Sequence, residues 1–587
     1  MIILHQHYLL CVLTTLSLYM LYLIYCGVRY QSFPVQKQLM KLYYLTYFDK
    51  VTEFNFRNKE TQDYLINTPG CYIPNYAKSF KYNRTYYITE SPVEACGKRA
   101  ISITSFNNDT IQFNINQEAM GKKKFICCYK FAFQSTIPEH ENDMLSYTKC
   151  IFFKNRTRVF LVHEIIIVKC TAIFWLKWTK GYVIPYRKTK QIIYKDAYII
   201  LKRHDLEKKV NNPLWNILMV GVNTMSRTRF FDTMPITSKY LRNFKWLDYK
   251  GYQKVQYNTF PNLMAVLTGK KMITNDTKCS ANLFKYGNDF IWKDFKAAGY
   301  ITAYGEDFLD SPDTFKGFGT KPTDHYMRPF YLTGERHNGQ YLCAKKVPSA
   351  SHLLNYANQF VTSYQNNSFF GLFWTNLYSH NNLLHNPSIL DAELGDFIQK
   401  ILNSTAANNT FIILFSDHGI RYGEKSIQME SYYDNRLPML FIWTPYDFRR
   451  QHIRKYYNSH LNQDRLTTPY DLYLTLAEIL NLSTNSSNLK ELEECPKCTS
   501  LFKKISPYRM CADAGVSEYW CSCHNMTDII NDENKTHRSS MTAVEYLREK
   551  RKSLKLISCT KCLPMKWYRV LRSHEYYSAN KKIHVIG

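Results

Sequence analysis

Acidic residues are outnumbered in this sequence. Over 587 residues, 48 Asp and Glu stand against 76 Lys and Arg, a formal net charge of +28. Such a surplus suits nucleic acid, an acidic glycan, an anionic membrane surface, or a basic exterior with no partner. The basic residues are spread along the chain, with local clusters such as EKRKSLK at 549–555. They are not interleaved with aromatics in the manner of nucleic-acid binders, so no nucleic acid is expected. Charge is modest overall, 21% against 45% hydrophobic, which excludes wholesale disorder and permits a sizeable core. The length suggests two or three domains.

Long apolar runs are also scarce. Residues 8–28, YLLCVLTTLSLYMLYLIYCGV, form an uncharged stretch of 21, long enough to span a bilayer. It lacks a clear small-residue cleavage site, so a signal anchor is expected over a cleaved signal peptide, which would leave the body secreted. No Lys or Arg precedes it, whereas Arg29, Lys37 and Lys41 follow, and that bias alone would leave the body in the cytosol. Two features oppose this. Of 17 Cys, 15 lie beyond the run, and eleven Asn-x-Ser/Thr sequons occur, at Asn83, Asn108, Asn155, Asn275, Asn366, Asn403, Asn408, Asn481, Asn485, Asn525 and Asn534. Disulfides and N-glycans belong to the secretory lumen, so a membrane-anchored body on the lumenal or extracellular side is expected. The odd count of 15 leaves at least one thiol unpaired or bridging to another chain.

Four segments are expected: an N-terminal anchor at 1–29, a β-rich region at 30–212, an α/β core at 213–484 and a Cys-rich tail at 485–587. ISITSFNNDTIQFNI alternates and breaks at a turn, as a hairpin does. TRVFLVHEIIIVKCTAIFWLKW (157–178) is apolar but interrupted by Glu164, Lys169 and Lys177, which favours buried strands over a second membrane span. Beyond Trp215, continuous apolar runs such as WNILMVGV, SFFGLFWTN and NTFIILFSDHG end in polar residues and alternate with helical patterns such as TTPYDLYLTLAEILNL. This is the pattern of a mainly parallel sheet flanked by helices, with ligands beyond the carboxyl ends of its strands. In the tail, the Cys-x-x-Cys pairs are read as disulfides rather than zinc ligands.

Four clusters carry chemistry: NILMVGVNTMSR with Asn223, NTFPNLMAVLTGKK with Thr259, FWTNLYSHNN with Asn376 and His380, and FIILFSDHGIRYGE with Asp417 and His418. A carboxylate and an imidazole at one strand tip can face a single cation. Thr259 heads a helical run, where it is either a nucleophile or an N-cap. The clusters are expected to converge on one edge of the sheet, with Thr259 at a helix N-terminus.

The order of these clusters resembles the alkaline phosphatase/sulfatase-like superfamily. More closely, GVNTMSRTRFFDTMP, GYQKVQYNTFPNLMAVLTG, DFKAAGYITAYGED, FWTNLYSH, SDHGIRYGE, RLPML, TTPYDLYLTL and CPKC…RMCADAGVSEYWCSC are similar to the family known as domain of unknown function 229. The resemblance implies an alkaline-phosphatase-like core and Thr259 as a nucleophile on phosphorus. It implies Asp417, His418, Asn223 and His380 as ligands of a divalent metal, zinc or manganese. Asn258, Lys270 and Lys271 are read as offsetting charge on the transferred group. Sulfatases carry Cys-x-Pro-x-Arg where this chain has Thr259, Pro261 and Leu263, so formylglycine chemistry is not expected. The superfamily's first strand end usually carries an Asp where this chain has Asn223, and its phosphodiesterase members carry Asp and Gly where this chain has Asn376 and Ser379. These losses point to a single weak metal site. The expected function is a metal-dependent phosphoester hydrolase or transferase; the alternative is a degenerate relative that binds an anionic glycan or lipid head group without turnover.

Overall fold

The computed structural model describes residues 63–587 apart from 83–90, 107–108, 122–123, 135–144, 177–186, 205–214, 273–288, 311–314, 316–317, 319–320, 377, 379–386, 485–490, 555–568, 579–580 and 587. The candidate anchor at 8–28 lies outside these residues. Among the described residues no helix is long and apolar enough to cross a membrane.

The first described element is a hairpin of β1 (Tyr64–Thr68) and β2 (Cys71–Pro74). It does not belong with the rest of the β-rich region. Ile66, Cys71 and Ile73 are buried in the same cluster as the α/β core and the tail. The Gly70 amide donates to Pro507 O at 2.9 Å, and Cys71 is bonded to Cys523.

A β-sandwich follows. One sheet holds β3 (Ile101–Ser105), β4 (Thr110–Ile115) and β8 (Arg158–Phe160). The other holds β5 (Phe125–Gln134), β6 (Leu145–Tyr147), β7 (Ile151–Phe153), β9 (Ile165–Leu176) and β10 (Arg187–Ile199). ISITS and TIQFNI form the expected hairpin, with Ile101 opposite Ile115. The apolar stretch from 157 is two strands, as its interrupting charges indicate. Alternate residues such as Phe113, Tyr129, Phe131, Ile166 and Val168 fill the space between the sheets. The disulfides Cys127–Cys170 and Cys128–Cys150 cross-link it.

The chain then forms β11 (Asn216–Val222), β12 (Leu247–Asp248), β13 (Gly251–Tyr252), β14 (Ile301–Glu306) and β15 (His325–Tyr326). The antiparallel trio β16–β18 (Glu335–Asn338, Tyr341–Ala344, Val347–Pro348) comes next. Last come β19 (Phe369–Thr375), β20 (Thr410–Phe415) and β21 (Leu440–Trp443). The central sheet runs β12-β21-β20-β11-β19-β14-β15. Its five strands from β20 to β15 are parallel, while β21 runs against them and β12 pairs antiparallel with β21 at the edge. Both faces are covered, which is why β11 is apolar throughout: Ile217 and Met219 pack into one cluster, Leu218, Val220 and Val222 into the other.

The tail is docked rather than separate. Arg509 spans Asp471 of the helix Pro469–Thr484 with Nη1 to Oδ2 at 2.9 Å and Nη2 to Oδ1 at 3.0 Å, both side chains buried. Cys495–Cys498 and Cys511–Cys521 are disulfides. The sulfurs of Cys511, Cys521 and Cys523 cluster closely enough to suggest a metal, but all three are consumed in disulfides. Three of the 15 downstream cysteines, Cys279, Cys559 and Cys562, lie outside the described residues.

Candidate active site

Parallel pairing sets Val222 beside Thr375, Gly221 beside Phe415 and Glu306 beside Trp374. The residues that follow, Asn223, Asn376, Asp417 and Asp307, therefore emerge along one edge, where open α/β sheets hold their ligands. The helix Thr259–Thr268 delivers Thr259 to the same edge.

Thr259 is the first residue of that helix and fully buried; the cap is Asn258, extended at φ −110 and ψ 173. Thr259 is thus not the N-cap. Asn258 makes no capping bond either, because its Oδ1 accepts from Arg421. Asn262 fixes the approach to the helix instead. Its Oδ1 accepts from the amides of Val255 at 2.9 Å and Gln256 at 3.0 Å, and its Nδ2 donates to Gln256 O at 2.9 Å and Asn258 O at 2.8 Å.

A directed set of hydrogen bonds ends on the Thr259 hydroxyl. Asn376 Nδ2 donates to Glu306 Oε1 at 3.0 Å and Asp307 O at 2.9 Å, while its Oδ1 accepts from Trp374 Nε1 at 2.8 Å. The Asn376 amide can therefore sit only one way round. It must accept from Asn223 Nδ2 at 2.7 Å, and the same Nδ2 donates to Thr259 Oγ1 at 3.2 Å. Asn223 Oδ1 accepts from the Thr224 hydroxyl at 2.6 Å. Asn223 was read as a metal ligand through its oxygen. The structure corrects this: the face toward Thr259 carries nitrogen, held there by Asn376. Thr224 has φ +53, unusual for a β-branched residue, and this turn aims its amide at Asp417 Oδ1, 2.9 Å away.

Asp417 and His418 are buried together. Gly419 follows them because a side chain has no room: a Cβ there would lie 2.1 Å from Asp434 O. His418 Nδ1 donates to Gly419 O at 2.8 Å, and burial pushes the imidazole pKa down to about 3, so Nε2 keeps its lone pair. That Nε2 lies 3.2 Å from Asp417 Oδ2, and neither atom has a hydrogen-bond partner. Burial would raise the Asp417 pKa, but His418 when it is protonated, the Thr259 hydroxyl and the Thr224 amide outweigh it and hold the carboxyl below its ordinary value. Two electron-rich buried atoms facing each other suit one cation between them. Among the described residues the donor set does not extend to a second: Asn223 turns nitrogen to the site, and both polar atoms of the Asn376 side chain are taken.

Two cations of the protein border this pair. Lys254 is fully buried, donates to Asn435 Oδ1 and lies 4.4 Å from the Trp520 ring centroid. Burial, with Arg436 and Arg421 adding to it, pushes its pKa well below the ordinary range, and Asp417 opposes the shift. Arg421, half-buried, stacks over Tyr257 and Tyr422, whose exposed hydroxyls meet at 2.6 Å.

Other expected site residues fall elsewhere. Lys270 and Lys271 follow the far end of the ten-residue helix, about 15 Å along its axis from Thr259. Both are exposed, and Lys270 pairs with Asp289 at 2.9 Å. The structure does not bring them to Thr259. His380 lies outside the described residues. Sequence reading passed over Glu306, Asp307, Lys254, Asn262 and Arg421. For Glu306-Asp307 the signal was present, a polar pair ending the buried strand ITAYGE, the same pattern as the other clusters.

A hydroxyl at a helix N-terminus thus faces an Asp-His pair across the carboxyl edge of a mainly parallel sheet, the arrangement the resemblance in the sequence implies. The chain belongs to the family described as "Protein of unknown function (DUF229)", which matches residues 89–571. No curated protein matches the chain. Among solved structures, it is similar to a protein in the alkaline phosphatase superfamily from Vibrio parahaemolyticus, at 16% identity and a TM-score of 0.37, covering 51% of this chain and 72% of that one. The lipooligosaccharide phosphoethanolamine transferase A from Neisseria meningitidis gives 12% and 0.36, covering 50% and 60%. The lipoteichoic acid synthase LtaP from Listeria monocytogenes gives 13% and 0.33, covering 54% and 78%. These likenesses are low, and the functional reading below rests on this chain's own residues.

Proposed function

We propose that this chain is a phosphoester hydrolase or transferase with Thr259 as its nucleophile. The observation that carries the reading is the setting of the Thr259 hydroxyl: it accepts from Asn223 Nδ2 and adjoins the ionised Asp417 carboxylate. The hydroxyl proton passes to Asp417 as the Oγ–P bond forms. The P–O bond to the leaving group breaks, and the leaving group departs as an alcohol after taking a proton from solvent. Water or an acceptor alcohol then takes the phosphoryl group from Thr259. The helix N-terminus and the Arg421 guanidinium favour the transferred anion. A divalent ion such as zinc or manganese, held by Asp417 Oδ2 and His418 Nε2, would supply Lewis acidity that lowers the hydroxyl pKa. In the cell the body would be lumenal or extracellular, tethered by residues 8–28.

The test uses an aryl phosphate and an aryl phosphodiester with zinc or manganese. Thr259→Ser should retain measurable turnover and a phosphorylated intermediate visible by intact mass; Thr259→Ala should abolish both. Equal turnover in the parent and Thr259→Ala would overturn the nucleophile assignment.

One observation favours a second reading. Thr259, Asn223 and Asn376 are all essentially inaccessible, and the strand-end positions that would carry ligand carboxylates carry amides. A protein that binds an anionic glycan or lipid head group without turnover fits these features. Metal uptake and phosphate binding by calorimetry, with no product formed, would establish it.

A further inference from the structure

The sandwich sheet β10-β9-β5 carries a second feature, independent of Thr259. Its outer face is divided. Ala132, Ile165, Ile167, Ala197 and Ile199 pack into the cluster that covers the central sheet. Beyond them the sheet projects past the core, and Ile126 at 46%, Phe152 at 72% and Ile192 at 53% are exposed.

Three lysines line the step between the two halves. Register places Lys169 of β9 directly opposite Lys195 of β10 and Cys128 of β5. Lys130, two residues along β5, points the same way, with its Nζ 3.6 Å from the Tyr147 ring centroid. The row continues onto a different element. Burial lowers the pKa of Lys345, in the turn between β17 and β18, and Lys195 and Arg336 lower it further while Asp196 opposes the shift. Burial, then Lys195 and Lys169, likewise lowers that of Lys130.

No acid pairs with the three strand lysines. Among the described residues Lys130, Lys169 and Lys195 form no ion pair within 4.0 Å. Asp196 faces the sandwich interior, where it accepts from Arg99 Nε at 2.9 Å and Tyr194 at 3.0 Å. Glu335 accepts from the amides of Phe308 at 3.1 Å and Leu309 at 3.0 Å. Like charges directly opposite on a sheet are destabilising, so an external anion would relieve them. Strands lie about 4.8 Å apart, which sets Lys169 and Lys195 side by side on β9 and β10, with Lys130 on β5 a diagonal step of two residues away in an oblique row.

We propose that this step binds a linear sulfated or carboxylated polysaccharide. The charges form a line, as a polyanion's do. Tyr147 and Phe152 offer ring faces beside the line for sugar stacking. The line runs along the angle between two packed bodies, which a flexible chain enters more readily than a flat bilayer.

The test measures binding of a heparin oligosaccharide to the full chain by calorimetry. Lys169→Gln combined with Lys195→Gln should weaken binding about tenfold. Lys503→Gln with Lys504→Gln, an exposed pair in the tail, should change it less than twofold. Lys130→Gln alone should weaken binding in the same direction and serves if the double variant folds poorly, as judged by its melting temperature. Equal losses in both double variants would mean general charge attraction and overturn the proposal. Binding to phosphatidylserine vesicles, but not to heparin, lost in the Lys169/Lys195 variant would identify a membrane surface and overturn it as well.

Discussion

Asn223 sets the electrostatic character of the site through one atom. Replacing its amide by a carboxylate puts an acceptor against Asn376 Oδ1, which Asn376 cannot turn away because its nitrogen is held by Glu306 and Asp307. Asn223→Asp should therefore destabilise the metal-free protein by roughly 1–3 kcal/mol, and zinc or manganese should recover that loss. Melting temperatures with and without metal report both effects; an unchanged metal-free melting temperature would show that the amide orientation is wrong. Asp434 gives a second expectation at this scale. It accepts from Ser226 Oγ at 2.7 Å and from Tyr82, yet burial raises its pKa from 3.8 to about 6 despite these bonds. The folded state holds this proton more tightly than the unfolded chain does. Its contribution to stability is full below about pH 4 and falls as pH rises to about 6. The loss is roughly 3 kcal/mol at about 1.36 kcal/mol per pH unit. Urea unfolding at pH 4 and pH 7 should show a smaller pH dependence in Asp434→Asn than in the parent, and identical slopes would refute the assignment.

At the scale of elements, much of the site was legible because strand ends were. β11, β19 and β20 are apolar runs that stop at polar residues, and a parallel sheet must bring those stops to one edge. The helix ends where Gly269 takes φ +69, its amide closing on Ala265 O at 3.1 Å. What could not be read was direction. Nothing in the residue type of Asn223 says which amide atom faces Thr259, since that is fixed by Asn376, Glu306 and Trp374 on other strands. Lys270 and Lys271 looked close to Thr259 in sequence, but a helix turns proximity along the chain into distance. Lys254 was hidden for a related reason, since a lysine in QKVQ gives no local sign that it will be fully buried. The tail supplies a prediction at this scale. Asp471 accepts from Arg509 and from the amides of Thr468 and Thr499, each at 2.9 Å. Arg509→Leu leaves that carboxylate buried without its counter-charge and should cost about 3–5 kcal/mol. Limited proteolysis should then cut within 495–523 before the core unfolds; an intact tail with unchanged stability would contradict this.

For the molecule as a whole, compartment and architecture are linked. Residues 63–587 form one compact unit with six disulfides among the described residues: Cys71–Cys523 ties the first hairpin to the tail, Cys96–Cys343 ties the segment before the sandwich to the core, and four lie within the sandwich or the tail. Such bonds persist in oxidising compartments. Asn155, Asn366, Asn403, Asn408, Asn525 and Asn534 are exposed and sit in sequons. Peptide N-glycosidase treatment of protein from a secretory host should lower its apparent mass in several steps, and an unchanged mass would count against a lumenal body.

The bond between Cys71 and Cys523 also imposes a schedule. Its partners are 452 residues apart, so at roughly 5–20 residues per second the ribosome needs about 20 to 90 s to deliver the second after the first. Cys71 has to remain a thiol through that wait while nearer cysteines emerge around it. The nascent chain is thus exposed to mispairing for most of its own synthesis, and its first hairpin cannot be locked in place until the tail has been made.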